Sequence, residues 1–147
     1  MEQKQNVNIR DAQISDAAMI AVLAGELGYP TTSVEMEHRL AILNSDPHHK
    51  IFVAEQSDLL GWIHVSVIET LESGSFAEIR GLVVTEPHRG SGIGRRLVAA
   101  AEQWSIQKRC SRIRVRTNIV RVEAHAFYKK LGYVSKKTQD VFDKPLL

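Results

Sequence analysis

The sequence predicts an α+β domain built on a mostly antiparallel sheet, and three observations carry that expectation. First, β-branched and aromatic runs at 51–55, 62–68 and 76–84 are separated only by short turns, around Ser57, Asp58 and Gly61 and again at 72–75. Turns that short join antiparallel neighbours. Second, apolar residues recur at helical spacing on both sides of these runs, at Ile20, Leu23, Ala24 and Leu27 and at Ile93, Leu97, Ala100 and Trp104. Third, 147 residues with 44% apolar and 24% charged side chains suit one domain with a core of its own. The single cysteine, Cys110, neither closes an internal disulfide nor builds a multi-cysteine zinc site.

Taken in order, residues 7–10 alternate weakly and predict a short first strand. Ser15 offers an N-cap to a helix that Gly28 and Pro30 stop. Thr32, with Glu35 three residues on, reads as a capping box for a second helix striped by Met36, Leu40 and Leu43. Residues 44–50, with Pro47, form a loop before the antiparallel pair and the strand at 76–84. A glycine-rich loop at 87–94 opens a helix from Ile93. Residues 112–117 predict a strand, 122–131 a helix ended by Gly132, and 133–142 one or two closing strands. No apolar run reaches the roughly 18–20 residues of a membrane span, and the opening residues are polar. No membrane partner and no signal peptide are therefore expected, and the expected location is cytoplasmic.

The net charge of +2 conceals a division. Residues 1–73 hold 4 Lys/Arg against 11 Asp/Glu, a balance of −7, whereas 74–147 hold 15 against 6, a balance of +9. Such polarity suits either two halves that attract each other or a basic half that handles an anion. Nucleic acid is not the expected anion, because the basic residues are spread over helix, strand and loop with few aromatics among them.

The chemistry concentrates where a strand, Leu82-Val83-Val84, runs through Thr85-Glu86-Pro87-His88 into Arg89-Gly90-Ser91-Gly92-Ile93-Gly94-Arg95-Arg96 and a helix. Glycines allow close backbone approach, and a helix N-terminus aims unpaired N–H groups and a positive dipole at one point. Arg89, Arg95 and Arg96 add charge, so a phosphate or pyrophosphate is the natural occupant. A Walker loop would need Lys and Ser/Thr after Gly94, where Arg95 and Arg96 stand. A dinucleotide fingerprint would need a third glycine where Arg95 stands.

The spacing Arg89-x-x-Gly92-x-Gly94 resembles the pyrophosphate loop of the GCN5-related N-acetyltransferase (GNAT) family. Asn118, Ala124, Phe127, Tyr128, Leu131, Gly132 and Tyr133 resemble the signature that follows in that family, and residues 77–84 resemble its preceding strand. The resemblance implies one GNAT domain over 1–147, a mixed, mostly antiparallel twisted sheet with helices on both faces. It implies acetyl-coenzyme A as cosubstrate, held by Leu82, Val83, Val84, Arg89, Gly90, Ser91, Gly92, Ile93, Gly94, Arg95, Asn118 and Tyr128. The implied reaction is direct attack of a primary amine on the thioester in a ternary complex.

That reaction sets three demands. The amine must be deprotonated, since at a pKa near 10.4 only about one in 2,500 is neutral at pH 7. Glu78, on the strand that leads to the loop, is the first candidate base and His64 the second, with Tyr29 and Glu69 as candidate acceptor-lining residues. Each also has an ordinary reading: Glu78 as a strand carboxylate paired with arginine, His64 as a hydrogen-bonded sheet histidine. The oxyanion needs a donor; the resemblance implies a strand bulge, and Gly81 places the donor at Leu82 or Val83. The leaving thiolate needs a proton, which the resemblance assigns to Tyr128, although Tyr128 also falls on the apolar stripe of its helix.

Arg112, Arg114 and Arg116 fall on one strand face and suit structural ion pairs, coenzyme phosphates or an anionic substrate group. The acceptor is expected to be a small cationic amine, since the first half is acidic; a protein lysine or N-terminal amine is the alternative within the same chemistry. A non-catalytic acyl-coenzyme A sensor is the alternative of another class. The closing strand offers an edge to a second copy, so the sequence also admits a homodimer.

Overall fold

The computed structural model describes residues 6–117 and 120–147. The chain divides into two compact units, Met1–Val115 and Arg116–Leu147. In the first unit the strands are β1 (Asn8–Asp11), β2 (His49–Glu55), β3 (Leu59–Thr70), β4 (Gly74–Val84) and β5 (Ile113–Val115). Helices α1 (Ala17–Leu27) and α2 (Ser33–Asn44) lie between β1 and β2, and α3 (Ile93–Gln107) lies between β4 and β5. The sheet order is β1-β2-β3-β4-β5. The first three pairings are antiparallel and β4–β5 is parallel, the one junction that needs a crossover, which α3 supplies.

Alternation along β3 sends its side chains to two faces. Trp62 lies opposite Val53, and His64 opposite Ile51. That face is closed by Ile20 of α1 and Leu40 of α2, with Met36, Leu43 and Trp62 packed around the cluster. Gly61 belongs to the other face, where a Cβ would stand 3.3 Å from Leu97 Cδ1 of α3 and 2.7 Å from the Val83 carbonyl oxygen. Helices therefore cover both faces of an α+β sheet, as the resemblance implies.

The caps follow the sequence in part. Thr32 accepts the Glu35 N–H at 3.1 Å, as the capping box predicts. Ser15 is a correction: it lies inside a short 3-10 turn, Ile14–Asp16, and Asp16 occupies the N-cap position of α1. The Asp16 carboxylate instead accepts the Gln13 N–H (2.7 Å) and two Arg10 guanidinium bonds (2.8 and 2.9 Å). Gly28, at φ 103°, ends α1.

The second unit contains α4 (Val122–Lys130), after which Gly132 turns with φ 96°. The strands expected over 133–142 do not form. Six consecutive polar residues, 135–140, separate Val134 from Val141, so the segment has no alternating face to bury. Val134, Val141 and Phe142 are exposed. Among the described residues no helix is long and apolar enough to cross a membrane.

Candidate active site

The β4 strand and the loop after it form a continuous feature. Beyond Val84, Thr85 N–H donates to the Leu60 carbonyl (2.8 Å) and a 3-10 turn spans Glu86–His88. Gly90 and Gly92 then take left-handed conformations, φ 81° and 91°, and Gly92 becomes the N-cap of α3. A Cβ at either would meet nothing within 4 Å, so the conformation rather than space asks for glycine. No side chain caps α3. Its first N–H groups, at Ile93, Gly94 and Arg95, have no partner within the helix and carry the positive end of its dipole.

Glu26, in the last turn of α1, braces this loop. Its carboxylate accepts the Thr85 hydroxyl (3.0 Å) and the Glu86 N–H (3.1 Å), and lies 3.6 Å from Arg89 Nη2. Arg89 Nε donates to the Val84 carbonyl (2.9 Å), which ties the first arginine of the motif back to the end of β4. The Ser91 hydroxyl donates to the His88 carbonyl (2.5 Å), and Arg96 donates to the Val7 carbonyl (2.8 Å). Arg95 is exposed.

The register of β4 shifts where a bulge is expected. His64 pairs with Gly81 and Val65 with Ile79, so Arg80 is an extra residue. A Cβ on Gly81 would come within 3.0 and 3.1 Å of the Trp62 ring, so any larger residue there would press on the indole. On its other side β4 pairs with β5 at Ala77, Glu78 and Ile79. From Arg80 to Val84, among the described strands, β4 is paired on the β3 side alone. An extended chain can hydrogen-bond to such an edge.

One row of side chains crosses the sheet through His49, Ser66, Glu78 and Arg114. Glu78 is buried; its Oε1 accepts from Arg114 Nε (2.9 Å) and Nη2 (2.7 Å), and its Oε2 accepts from Arg80 Nη1 (2.9 Å). The guanidiniums of Arg112 and Arg114 lie 4.3 and 4.4 Å from the Phe76 ring centre. His64, on the same face, meets His49: Nε2 is 2.9 Å from His49 Nδ1. Burial, reinforced by His49 and the Arg80 guanidinium, pushes the His64 imidazole down to about 4. It is therefore neutral at pH 7, with a lone pair available. The buried Ser66 Oγ and Trp62 Nε1 have no hydrogen-bond partner among the described residues.

In the second unit Tyr128 is buried, edge-on to Phe127 (5.0 Å) and Tyr133 (5.5 Å). Burial pushes its phenol up to about 12 against the pull of Arg121, so the proton stays on the oxygen. Arg116 donates to Gln139 Oε1 at 3.4 Å. Asn118 lies outside the described residues.

In the first unit Glu78, His64, Leu82, Val83, Val84 and the loop from Arg89 to Arg95 lie along β4 and its immediate neighbours. Tyr29 is exposed just beyond α1, the helix that braces the loop. Glu69 pairs with Ser75 near the opposite end of β3, roughly 26 Å of strand from Gly61, and is not brought to the cluster. Cys110 follows α3, half-buried, its thiol raised by burial. Sequence reading missed His49, which β2 takes from the expected loop, and also Asp46, Ser66, Arg80 and Glu26.

A profile of the Acetyltransferase (GNAT) family matches residues 17–133, most of the chain. The chain belongs to the GNAT family. It is similar to the aminoalkylphosphonate N-acetyltransferase of Salmonella typhimurium, 32% identical over 71% of this chain and 67% of that protein. It is also similar to the aminoglycoside N(6')-acetyltransferase type 1 of Serratia marcescens, 25% identical over 80% of this chain and 86% of that one. Among solved structures, an aminoglycoside antibiotic 6'-N-acetyltransferase from Acinetobacter haemolyticus superposes with a TM-score of 0.83 at 19% identity. That match covers 95% of this chain and 99% of the other and shows the common fold. As a GNAT member this chain is an N-acetyltransferase with acetyl-coenzyme A as its acetyl donor.

Proposed function

We propose that this GNAT enzyme acetylates a primary amine of a small cationic molecule by direct attack on the thioester. The observation that carries the reading is the union of the uncapped α3 N-terminus, opened by two left-handed glycines, with the half-paired edge of β4. The N–H groups at 90–95 meet the pyrophosphate, with Arg95 adding charge and Arg89 bracing the loop. The pantetheine lies along Leu82, Val83 and Val84, and an N–H at Leu82 or Val83, just past the bulge, serves the oxyanion. Asn118 orients the pantetheine arm.

His64, rather than Glu78, takes the amine proton, because both Glu78 oxygens are already held by arginines. Tyr128 keeps its proton across the physiological range and donates it to the leaving thiolate. Tyr29 lines the acceptor side at the end of α1. The acidic first half and the aminoglycoside-modifying relatives support a cationic acceptor. A second reading has its own observation: Arg80, Arg112 and Arg114 outnumber the single carboxylate of Glu78. With an aminoalkylphosphonate-modifying relative, that surplus suits an amine that also bears an anion.

The test is calorimetric titration with acetyl-coenzyme A, then thiol release with aminosugars, polyamines and aminoalkylphosphonates. Binding that Gly92→Asp abolishes and turnover with one of these classes are expected. No binding of acetyl-coenzyme A, or binding without turnover on any amine, overturns the reading, and turnover confined to a protein amine redirects it.

A further inference from the structure

Resting on that reading, we propose that His49 is the second station of a proton relay that carries the amine proton from His64 outward past Asp46. His49 and His64 are diagonal neighbours on one face of the β2–β3 pair, where Ile51 faces His64 and His49 faces Ser66. With His64 Nε2 and His49 Nδ1 2.9 Å apart, one nitrogen donates and the other accepts. On its far side His49 presents Nε2 to Asp46 Oδ2 at 3.9 Å. A carboxylate there favours the tautomer with the proton on His49 Nε2, which leaves Nδ1 as the acceptor. His64 then donates through Nε2, and its Nδ1 keeps the lone pair that a substrate ammonium needs.

Side-chain exposure rises outward, from the largely buried His64 to 25% at His49 and 44% at Asp46. The surrounding charges push the same way. Arg80, fixed by Glu78, disfavours an imidazolium at His64, so a proton arriving there is passed on. Asp46, 3.9 Å from His49 Nε2 and 3.7 Å from His48 Nδ1, stands as the carboxylate at the outer end of the row. Arg114 shares the Glu78 carboxylate with Arg80, and Ser66, between His49 and Glu78, is uncharged.

The proton inventory closes. The ammonium N–H bond breaks as His64 Nδ1–H forms; His64 Nε2–H breaks as His49 Nδ1–H forms; the His49 Nε2 proton leaves to Asp46 or water. The amine is left neutral, with its electron pair free to attack the thioester carbonyl. After product release the reverse passage, with water as proton source at His49 and acceptor at His64, restores both tautomers.

The test uses the full chain. Long-range nitrogen–proton NMR at pH 7 should show a proton on Nε2 of each ring; a proton on His64 Nδ1 overturns the proposal whether or not any amine is acetylated. His49→Asn keeps a hydrogen-bond acceptor toward His64 but cannot pass a proton through. With the amine that wild type acetylates, its kcat should fall about 100-fold, with an unchanged KM for acetyl-coenzyme A and partial recovery in imidazole buffer. Wild-type kcat without imidazole dependence overturns the relay, and His49→Gln repeats the test should the Asn variant melt early. Absence of any acetyl transfer by wild type counts against the acetyltransferase assignment, while the NMR result still judges the histidine pair.

Discussion

Two polar clusters on the same sheet have opposite character. At the β1 edge, Arg10 bonds both oxygens of Asp16 and the Glu55 carboxylate at 2.9 Å, and Asp16 also accepts a backbone N–H. Toward the centre, Arg80 and Arg114 share one buried carboxylate, two histidine rings meet nitrogen to nitrogen, and two buried polar atoms have no partner among the described residues. Native interiors rarely leave such groups unmatched, and those that are left want a water, an ion or a ligand. The first cluster is complete as a structural lock. The second is arranged for something that arrives.

The sharpest way to break that comparison is to remove His64. His64→Gln should lower turnover by about 10²- to 10⁴-fold with little change in melting temperature. Equal turnover in the variant would return the second cluster to the structural class. Asp16→Ala is the mirror experiment. Its carboxyl is held below the usual range chiefly by the Arg10 hydrogen bonds, and its removal strands a partly buried guanidinium. A loss of about 2 kcal/mol in denaturant titration is expected, with kcat of the folded enzyme unchanged.

The pH dependence of stability separates the clusters further. His64 holds a folded pKa of about 4 against 6.5 unfolded, so the unfolded chain binds the extra proton between those values. Its contribution is complete above pH 6.5 and is lost as pH falls toward 4, about 2 kcal/mol of it by pH 5. Asp16 works in a lower window: its lowered carboxyl contributes above the unfolded 3.8 and is lost only below that. Melting curves at pH 7 and 5 should therefore converge in His64→Gln and stay apart in Asp16→Ala.

How much of this was legible depends on the range over which each feature is encoded. The helix stripes, the Thr32 cap and the loop from Arg89 to Gly94 are local patterns, and the structure places them where the spacing puts them. The β4 bulge is what the family resemblance implies, and Gly81 marks its position to within one residue of the extra Arg80. An arginine partner for Glu78 and a hydrogen-bonded His64 are readable in the sequence, but that the partners are Arg114 and His49 depends on register between strands 36 and 15 residues apart, which no local window carries. The Glu26 brace spans 59 residues to Thr85 in the same way. The closing strands expected over 133–142 are absent for a local reason: the polar run at 135–140 has no apolar face to bury.

The smallest expected effect is the most discriminating. Ser66 is 1% exposed, sits between His49 and Glu78 in the row across the sheet, and its hydroxyl has no partner among the described residues. A buried hydroxyl without a partner costs stability, so Ser66→Ala should leave the protein equally stable or more stable by up to about 1 kcal/mol. That would invert the outcome for Asp16→Ala although both positions are buried and polar. If the row serves the acceptor, the same variant should raise KM for the amine several-fold while leaving acetyl-coenzyme A binding untouched. A Ser66→Ala protein that melts lower with normal amine KM would show that the hydroxyl has a structural partner after all. The contrast between a closed lock and an open site would then rest on the histidine pair alone.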